Sequence, residues 1–282
     1  MDITVHHLDL TTGLGSQPSA AACDALLSAV RNEGLAIIRD FPPEPDSLIA
    51  LGKMLGRPQP RYPLGPEPAP DDGALTWVTD VRFRPRQADE AHQPFTHRSS
   101  ELQLHTARAA ATVQPRLFMM LMADPGRPSG EPDNGQSQLS RLDDALHRLS
   151  DMYGRRPAEE IVRVLATVPI STEDPYPETP VVRPILHRAV DGRWAFRYWE
   201  NIHAHAVSTS SEECVEALKK FDQALRNVRF EVSLRRGDVI LLDNDRVAHA
   251  RRKFPGWSLD GSGRRVPSSR LIYNLHVFSD LS

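Results

Sequence analysis

The amino-acid sequence predicts an α+β fold built on a jelly-roll or barrel core with flanking helices. Helical patterns come first along the chain, and most of the remaining sequence has the pattern of short strands separated by long loops. The 24 prolines cluster at 42–70, 125–132 and 175–184, which is typical of stiff loops on a scaffold of strands. The sequence has neither an internal repeat nor a clear boundary. We therefore expect one domain over 1–282, with a helical part at about 1–73 packed on the core.

Hydrophobic periodicity, helix caps and turn signals give the predicted elements. The first third contains a strand over 3–10, a helix from Pro18 or Ser19 to Arg31 with Gly34 as its stop, a strand at Leu35–Arg39, a helix at Ser47–Leu55 capped by Asp46, and a strand at Leu75–Phe83. The remainder contains a buried strand at Arg116–Ala123, helices at Asp143–Tyr153 and Glu212–Val228, and strands at Val181–Ala189, Trp194–Tyr198, Phe230–Leu234, Val239–Leu242 and Arg270–Phe278.

The composition limits the classes of molecule that this protein is expected to bind. A formal net charge of −3 gives no electrostatic reason to expect nucleic acid or an anionic membrane. The two cysteines, Cys23 and Cys214, form no disulfide framework, and no apolar run approaches the ~18 residues of a membrane span. We expect a cytoplasmic protein whose partner is a small molecule, and the sequence does not predict an oligomeric state.

The segment 101–109, Glu-Leu-Gln-Leu-His-Thr-Ala-Arg-Ala, begins with the alternation of a strand and then presents His105. Residues i and i+2 of a strand point to the same face, so His105 and the residue at position 107 share one. A histidine and a carboxylate at this spacing would supply two of the three ligands of a 2-His-1-carboxylate iron site. Ala107 stands where that carboxylate would be, so the segment indicates either no metal site or one that lacks a ligand.

Two segments near the C-terminus carry further polar residues of the candidate site. Residues 236–251 read as a tight Gly-Asp turn, a buried strand and a second extended piece, a hairpin that would present His249 to the interior. On the last predicted strand, Arg270, Asn274 and His276 share a face. An arginine on the inner face of such a strand needs an anion, and the guanidinium fork suits a carboxylate.

On these segments the chain resembles the iron(II)/2-oxoglutarate-dependent dioxygenases, in the clavaminate synthase-like and taurine dioxygenase-like group, and is most similar to the asparagine oxygenase-like branch. The motifs that carry the resemblance stand at Leu102–Ala107, Gly135–Ser137, Gly237–Arg251 and Arg270–Asp280, in order, within a match that covers roughly 75–282. The piece Gly-Asp-Val-Ile-Leu-Leu-Asp-Asn-Asp-Arg-Val-Ala-His-Ala-Arg is strongly diagnostic.

The resemblance implies an α+β fold with a double-stranded β-helix (jelly-roll) core and flanking helices, and it also implies the cofactors and their ligands. Fe(II), 2-oxoglutarate and O₂ are expected, with His105 and His249 as the iron-binding histidines. Arg270 aligns with the arginine that binds the distal carboxylate of 2-oxoglutarate, and Ser137 falls where a Ser or Thr often assists it. Arg265 is the competing candidate, because it lies nearer the usual distance from the second histidine. Arg270 is favoured because it belongs to the strand pattern.

The sequence departs from the family pattern at two positions. Asn274 replaces an arginine that in many relatives binds the substrate's carboxylate, and Arg197 on the predicted hairpin could also face the substrate or form an ordinary ion pair. The substrate implied by the resemblance is a small, amino-acid-like molecule. The second departure is Ala107, since radical halogenases of this superfamily carry His-x-Ala or His-x-Gly and bind chloride where the carboxylate would sit.

Three functional hypotheses therefore stay open from the sequence. The first, which we favour, is halogenation with chloride bound at the position that Ala107 leaves open. The second is hydroxylation with water at that position, and the third is a binding protein that has lost its iron. Replacement of the missing ligand by Glu101 is disfavoured, because it precedes His105 by four residues.

Overall fold

The structure, a computed structural model, describes residues 5–7, 18–60, 76–85, 95–109, 111, 113–126, 134–172, 181–200, 202 and 211–279. Its helices are α1 (Ala20–Glu33), α2 (Pro45–Leu55), α3 (Leu142–Tyr153), α4 (Arg155–Thr167) and α5 (Glu212–Asn227). Within these ranges no helix combines the length and the apolar character needed to cross a membrane.

The strands are short, and all but one of the pairings among them are antiparallel. They are β1 (Val5–His7), β2 (Leu35–Arg39), β3 (Arg57–Gln59), β4 (Thr79–Arg82), β5 (Leu102–His105), β6 (Leu117–Asp124), β7 (Ser137–Arg141), β8 (Ile170–Thr172), β9 (Val181–Arg183), β10 (Leu186–Arg188), β11 (Trp194–Phe196), β12 (Phe230–Val232), β13 (Val239–Asp243), β14 (Val247–Arg251), β15 (Trp257–Leu259), β16 (Arg265–Pro267) and β17 (Leu271–Phe278).

Two sheets form the core. The larger sheet has the order β1-β2-β13-β6-β17-β3, with β4 also paired to β17, and the smaller sheet has the order β12-β7-β14-β5. Apolar side chains from both sheets, including Phe118, Ile240 and Ile272 from the larger and Leu139 and Val247 from the smaller, pack in one buried cluster between them. The predicted jelly-roll core with flanking helices is confirmed.

The helices cover the outer faces of the sheets. Leu26 of α1 and Leu48 of α2 pack with Leu275 of β17 on the larger sheet. On the other side α3, α4 and α5 cover the smaller sheet, where Phe221 packs near Ala248 of β14. Since β6 and β13 are buried on both faces, their sequences are continuous apolar runs rather than alternating ones.

The caps explain where the first helix begins and ends. The Ser19 hydroxyl accepts a hydrogen bond from the Ala22 amide at 3.2 Å, which satisfies an otherwise free donor of the first turn. Gly34 ends the helix at φ 83°, a conformation that favours glycine. Both cap signals were readable from the sequence, and the predicted helix agrees with α1.

Several regions differ from the sequence prediction, among them the predicted strand Val181–Ala189, which is divided into β9 and β10. Helix α4 was not predicted, because Gly154 indicates only the end of the preceding helix; Pro157 lies in the first turn of α4, where a proline is tolerated. The segment 252–268, for which the sequence predicted no strand, contains the hairpin of β15 and β16.

Candidate metal and ligand site

His105 and His249 meet in the interior end of the smaller sheet. They are direct cross-strand partners on β5 and β14, and their ring centroids lie 4.2 Å apart. The His105 Nδ1–H donates to the Gln103 carbonyl at 2.8 Å, which leaves Nε2 as the nitrogen with a free lone pair in a neutral ring. The Nδ1 of His249 is buried and has no hydrogen-bond partner in the described part of the chain. Two adjacent imidazoles of this kind fit a divalent transition metal.

Burial decides the charge of both rings. It lowers the pKa of His105 and lowers that of His249 well below its ordinary value, where the neighbouring His105 and His276 add to the effect. Both imidazoles are therefore neutral near pH 7. Neutral imidazole is the form that binds metal.

Ala107 follows two residues after His105 and is held by its backbone. It is 4% exposed and belongs to the apolar cluster between the sheets. Its N–H donates to the Asn244 Oδ1 at 2.7 Å, and the Asn244 Nδ2 donates back to the Ala107 carbonyl at 2.8 Å. Asn244 lies in the turn between β13 and β14, so the strand that carries His249 also fixes the position of Ala107.

In the described ranges no third protein ligand stands beside the two histidines. No group of three His, Cys, Asp or Glu side chains within those ranges could hold a metal ion. The Glu101 side chain is 58% exposed and lies 3.9 Å from the Arg229 guanidinium at the sheet's edge. The residues present thus fit a metal with two protein ligands and do not fit a complete 2-His-1-carboxylate triad.

Arg270 is a buried cation directly before β17. It is 1% exposed, and its Nη2 donates to the Gly135 carbonyl at 2.7 Å. Within the described chain its Nε and Nη1 have no hydrogen-bond partner, and no carboxylate pairs with it. Burial, and then the nearby Arg251, lower the pKa of Arg270 to about 9, so it stays charged near pH 7. A buried guanidinium without an anion fits a ligand carboxylate.

The predicted serine lies two residues after Gly135, whose carbonyl accepts the hydrogen bond from Arg270. Ser137 is 4% exposed on β7, and it lines a narrow pocket together with Gly135 and Met122. Gly135 has φ 69°, and a Cβ there would lie 2.7 Å from the Arg270 Nε. The backbone therefore approaches the guanidinium more closely than any side chain would permit.

The competing arginine lies elsewhere. Arg265 is exposed on β16, and its guanidinium stacks on the Trp257 ring with 4.4 Å from its Cζ to the ring centroid. This geometry favours Arg270 over Arg265 as the arginine for 2-oxoglutarate.

The two predicted substrate residues have different surroundings. Arg197 is 8% exposed and donates through Nη1 to the Ala111 carbonyl, in the turn that follows Ala107. Asn274 lies on β17 directly across from Met120, and its Oδ1 is buried without a partner in the described chain. Of the two, Asn274 has the free hydrogen-bonding capacity that a ligand would use.

Sequence reasoning missed Phe118 and Asn244. The Phe118 ring stacks on His249 with a centroid distance of 4.4 Å and lies 5.1 Å from the His276 ring. The apolar run around Phe118 predicted a buried strand but gave no sign of which face meets the histidines. Asn244 stood in a recognisable Asp-Asn turn, and its hydrogen bonds to Ala107 depend on a distant segment.

Comparisons with known proteins agree with this architecture. The family described as "Taurine catabolism dioxygenase TauD, TfdA family" matches residues 9–266. An asparagine oxygenase solved with Fe(II), 3-hydroxyasparagine and succinate aligns at a TM-score of 0.66 and 17% identity, covering 93% of this chain and 80% of that one. The oxygenase OrfP solved with Fe gives 0.60 and 17%, covering 93% and 81%. PvcB from Pseudomonas aeruginosa gives 0.61 and 16%, covering 90% and 79%.

A search of curated proteins found no match. The family match spans most of the chain and includes both histidines, and the solved structures share its fold. The chain therefore belongs to the TauD/TfdA family of dioxygenases, and the prediction of an enzyme of this superfamily is confirmed.

Proposed function

We propose that the chain is an Fe(II)/2-oxoglutarate-dependent halogenase that acts on an unactivated aliphatic carbon of a small, amino-acid-like substrate. The single observation that carries the proposal is Ala107, a buried methyl group fixed two residues after His105 in a site that otherwise keeps its histidines and its arginine. Loss of iron would release the constraints on His249 and Arg270, yet both residues are present and their side chains are buried.

Each cofactor has residues suited to it. His105 and His249 would hold the iron through neutral ring nitrogens, and Arg270 with Ser137 would hold the distal carboxylate of 2-oxoglutarate. Iron with 2-oxoglutarate and O₂ supplies the oxidation that breaks a C–H bond. Phe118 stacks on His249 and belongs to the apolar cluster between the sheets, and low-dielectric surroundings of this kind strengthen electrostatic interactions.

The position at Ala107 suits a halide for two reasons. A methyl group leaves the space that a carboxylate would fill, and it removes a negative charge that would repel chloride. The side chain after it, Arg108, adds a positive charge near the same turn. Arg108 has φ 54°, so the strand does not continue and this residue does not alternate to the opposite face as a regular strand would require.

The net reaction consumes the C–H bond of the substrate, 2-oxoglutarate, O₂, chloride and a proton. It yields the C–Cl product, succinate, CO₂ and water. In the second candidate, hydroxylation, the substrate, 2-oxoglutarate and O₂ give the alcohol, succinate and CO₂. The fold similarity to oxygenases favours this second candidate, in which water would fill the position beside Ala107.

The test is turnover of the purified chain with Fe(II), 2-oxoglutarate and O₂ against a panel of free L-amino acids, with chloride, with bromide and without halide. Succinate together with a product heavier by one halogen supports halogenation, and a product heavier by one oxygen supports hydroxylation. A panel that releases no succinate above background contradicts both.

Variants at position 107 provide the matched comparison. Ala107→Asp adds a charged ligand, and Ala107→Asn adds a side chain of the same size without the charge. We expect Ala107→Asp to abolish halogenation and to bind Mn(II) at least about tenfold more tightly than Ala107→Asn, because only the carboxylate is a strong third donor. Halogenation that persists in Ala107→Asp would contradict the proposal that the halide binds at the position that Ala107 leaves open.

A further inference from the structure

The inner face of the larger sheet carries a polar row opposite the histidines. Gln59 of β3 is the cross-strand partner of His276 on β17, and Asn274 lies two residues earlier on the same face. Their cross-strand neighbours on β6, Phe118 and Met120, belong to the cluster between the sheets, so this face points to the interior. Because the Phe118 ring touches both His249 and His276, the row lies next to the candidate metal site.

Gln59 and Asn274 both have an unsatisfied carbonyl oxygen. The Gln59 Oε1 and the Asn274 Oδ1 are shielded from solvent and have no hydrogen-bond partner in the described part of the chain. Buried side-chain oxygens almost always accept a hydrogen bond, since leaving one unpaired is unfavourable. Two such oxygens on adjacent strands of one inward face point to a ligand that donates N–H groups.

A cation stands at the border of this row. The Arg108 guanidinium donates to the Pro60 carbonyl at 3.0 Å, and Pro60 directly follows Gln59. Arg108 is also near enough to His276 to contribute, after burial, to the low pKa of that ring. The interior thus has acceptors on β3 and β17 and a positive charge beside them.

We propose that Gln59 and Asn274 form the subsite for the amino group of an α-amino acid, whose carboxylate faces Arg108. The ammonium donates to the Gln59 Oε1 and the Asn274 Oδ1. An arginine at position 274 would offer donors and a positive charge, which repel an ammonium, whereas the carboxamide accepts. This inference rests on the proposed function for the nature of the substrate, and it adds the residues that recognise its head group.

The test is binding of the full chain to twenty L-amino acids by calorimetry, with and without Zn(II) and 2-oxoglutarate. For the tightest ligand, the 2-hydroxy acid replaces the amine by a hydroxyl, and the amino amide replaces the carboxylate. We expect the hydroxy acid to bind at least about tenfold more weakly, as expected for lost hydrogen bonds to a charged group. The amino amide should also bind more weakly, because it lacks the charge that faces Arg108.

Two leucine variants test the residues themselves. Gln59→Leu and Asn274→Leu should each weaken amino-acid binding by about tenfold and reduce the preference over the hydroxy acid. Asn227→Leu, the corresponding change at the exposed end of α5, should leave binding unchanged. If a leucine variant does not fold, the isosteric Asn274→Asp replaces it, and we expect tighter amino-acid binding and weaker hydroxy-acid binding.

Several outcomes overturn the subsite. They are equal binding of amino and hydroxy acids, and no binding by any member of the panel. The third is unchanged affinity in both leucine variants, because the two oxygens would then bind only water. Failure of the reaction is a separate result, because calorimetry with Zn(II) requires no turnover. Amino-acid binding with the expected preferences and no succinate would contradict the proposed activity and leave the subsite supported.

Discussion

His105 and His249 are paired directly across β5 and β14, although 144 positions separate their numbers in the chain. Neither strand alone defines a metal site. The register between them brings the two rings to a centroid separation of 4.2 Å, and the Gln103 carbonyl fixes the proton of one ring on Nδ1. The proposed metal site thus depends on a strand pairing.

Replacing either histidine by alanine should remove most of the affinity for a divalent metal. With two protein ligands in place of three, the loss of one leaves a single nitrogen, so we expect the Kd for Mn(II) or Co(II) to rise at least about 100-fold. Calorimetry on His105→Ala and His249→Ala measures this, with His147→Ala on the exposed face of α3 as the control. Unchanged affinity in either variant would place the metal elsewhere.

Arg270 and Arg265 can be separated by a matched pair of methionine variants. Arg270→Met should weaken 2-oxoglutarate binding by about 100-fold, because a charge-assisted contact to a carboxylate is lost, while Arg265→Met should change it little. Without 2-oxoglutarate, Arg270→Met should raise the free energy of unfolding by on the order of 1–4 kcal/mol, since it removes a buried charge that has no counter-ion in the described chain. Calorimetry and urea unfolding measure the two effects. A large effect of Arg265→Met on 2-oxoglutarate binding would reverse the assignment.

Gly135 and Gly192 provide a second matched pair. Both have positive φ, 69° and 79°, but a Cβ at Gly135 would meet the Arg270 Nε at 2.7 Å, whereas no atom of the described chain lies within 4 Å at Gly192. Gly→Ala at either position should lower stability by about 1 kcal/mol through backbone strain. Only Gly135→Ala should also weaken 2-oxoglutarate binding, because it displaces the guanidinium. Equal affinity of both variants for 2-oxoglutarate would show that the loop around Gly135 does not affect binding of this ligand.

Asp245 should make stability depend on pH in an unusual direction. Burial, and then the nearby Asp243 carboxylate, raise the pKa of Asp245 to about 6. The unfolded chain releases this proton near pH ~4, so between about 4 and 6 the folded state binds more protons and the wild type loses stability as pH rises. The Asp245→Asn variant has no such loss. It should exceed the wild type in free energy of unfolding by on the order of 1–3 kcal/mol above pH 7, with the difference vanishing below about pH 4.

Urea unfolding at a series of pH values checks this prediction. The expected signature is the pH dependence of the difference between variant and wild type. A constant difference across pH ~4–8 would show that Asp245 ionises in the folded chain at its ordinary pKa.

The elements that could be predicted from the sequence are those with local signals. Strand β2 agrees with its prediction residue for residue, because an apolar run follows directly after the Gly34 stop. Helix α5 was readable from its Ser211 cap and its apolar period. Helix α4 has neither a side-chain cap nor a clean start, and its buried residues matter only once α3 and α5 pack against it.

The same division holds for the site. His105, His249 and Arg270 stand in motifs whose spacing survives in the linear sequence. The roles of Phe118 and Gln59 follow from which strand lies beside which, and the order of strands in the larger sheet is not encoded by any local pattern. Asn244 was visible as part of a turn, but its contact with Ala107 joins positions 137 apart.

The two hydrogen bonds between Asn244 and Ala107 bear on how this site can change in evolution. Its hydrogen bonds go to the Ala107 backbone, so they persist whatever side chain position 107 carries. Every alanine codon differs by one nucleotide from a codon for aspartate or glutamate. A single base change at this position would therefore replace the methyl group by a carboxylate while the hydrogen bonds that hold the backbone stay in place.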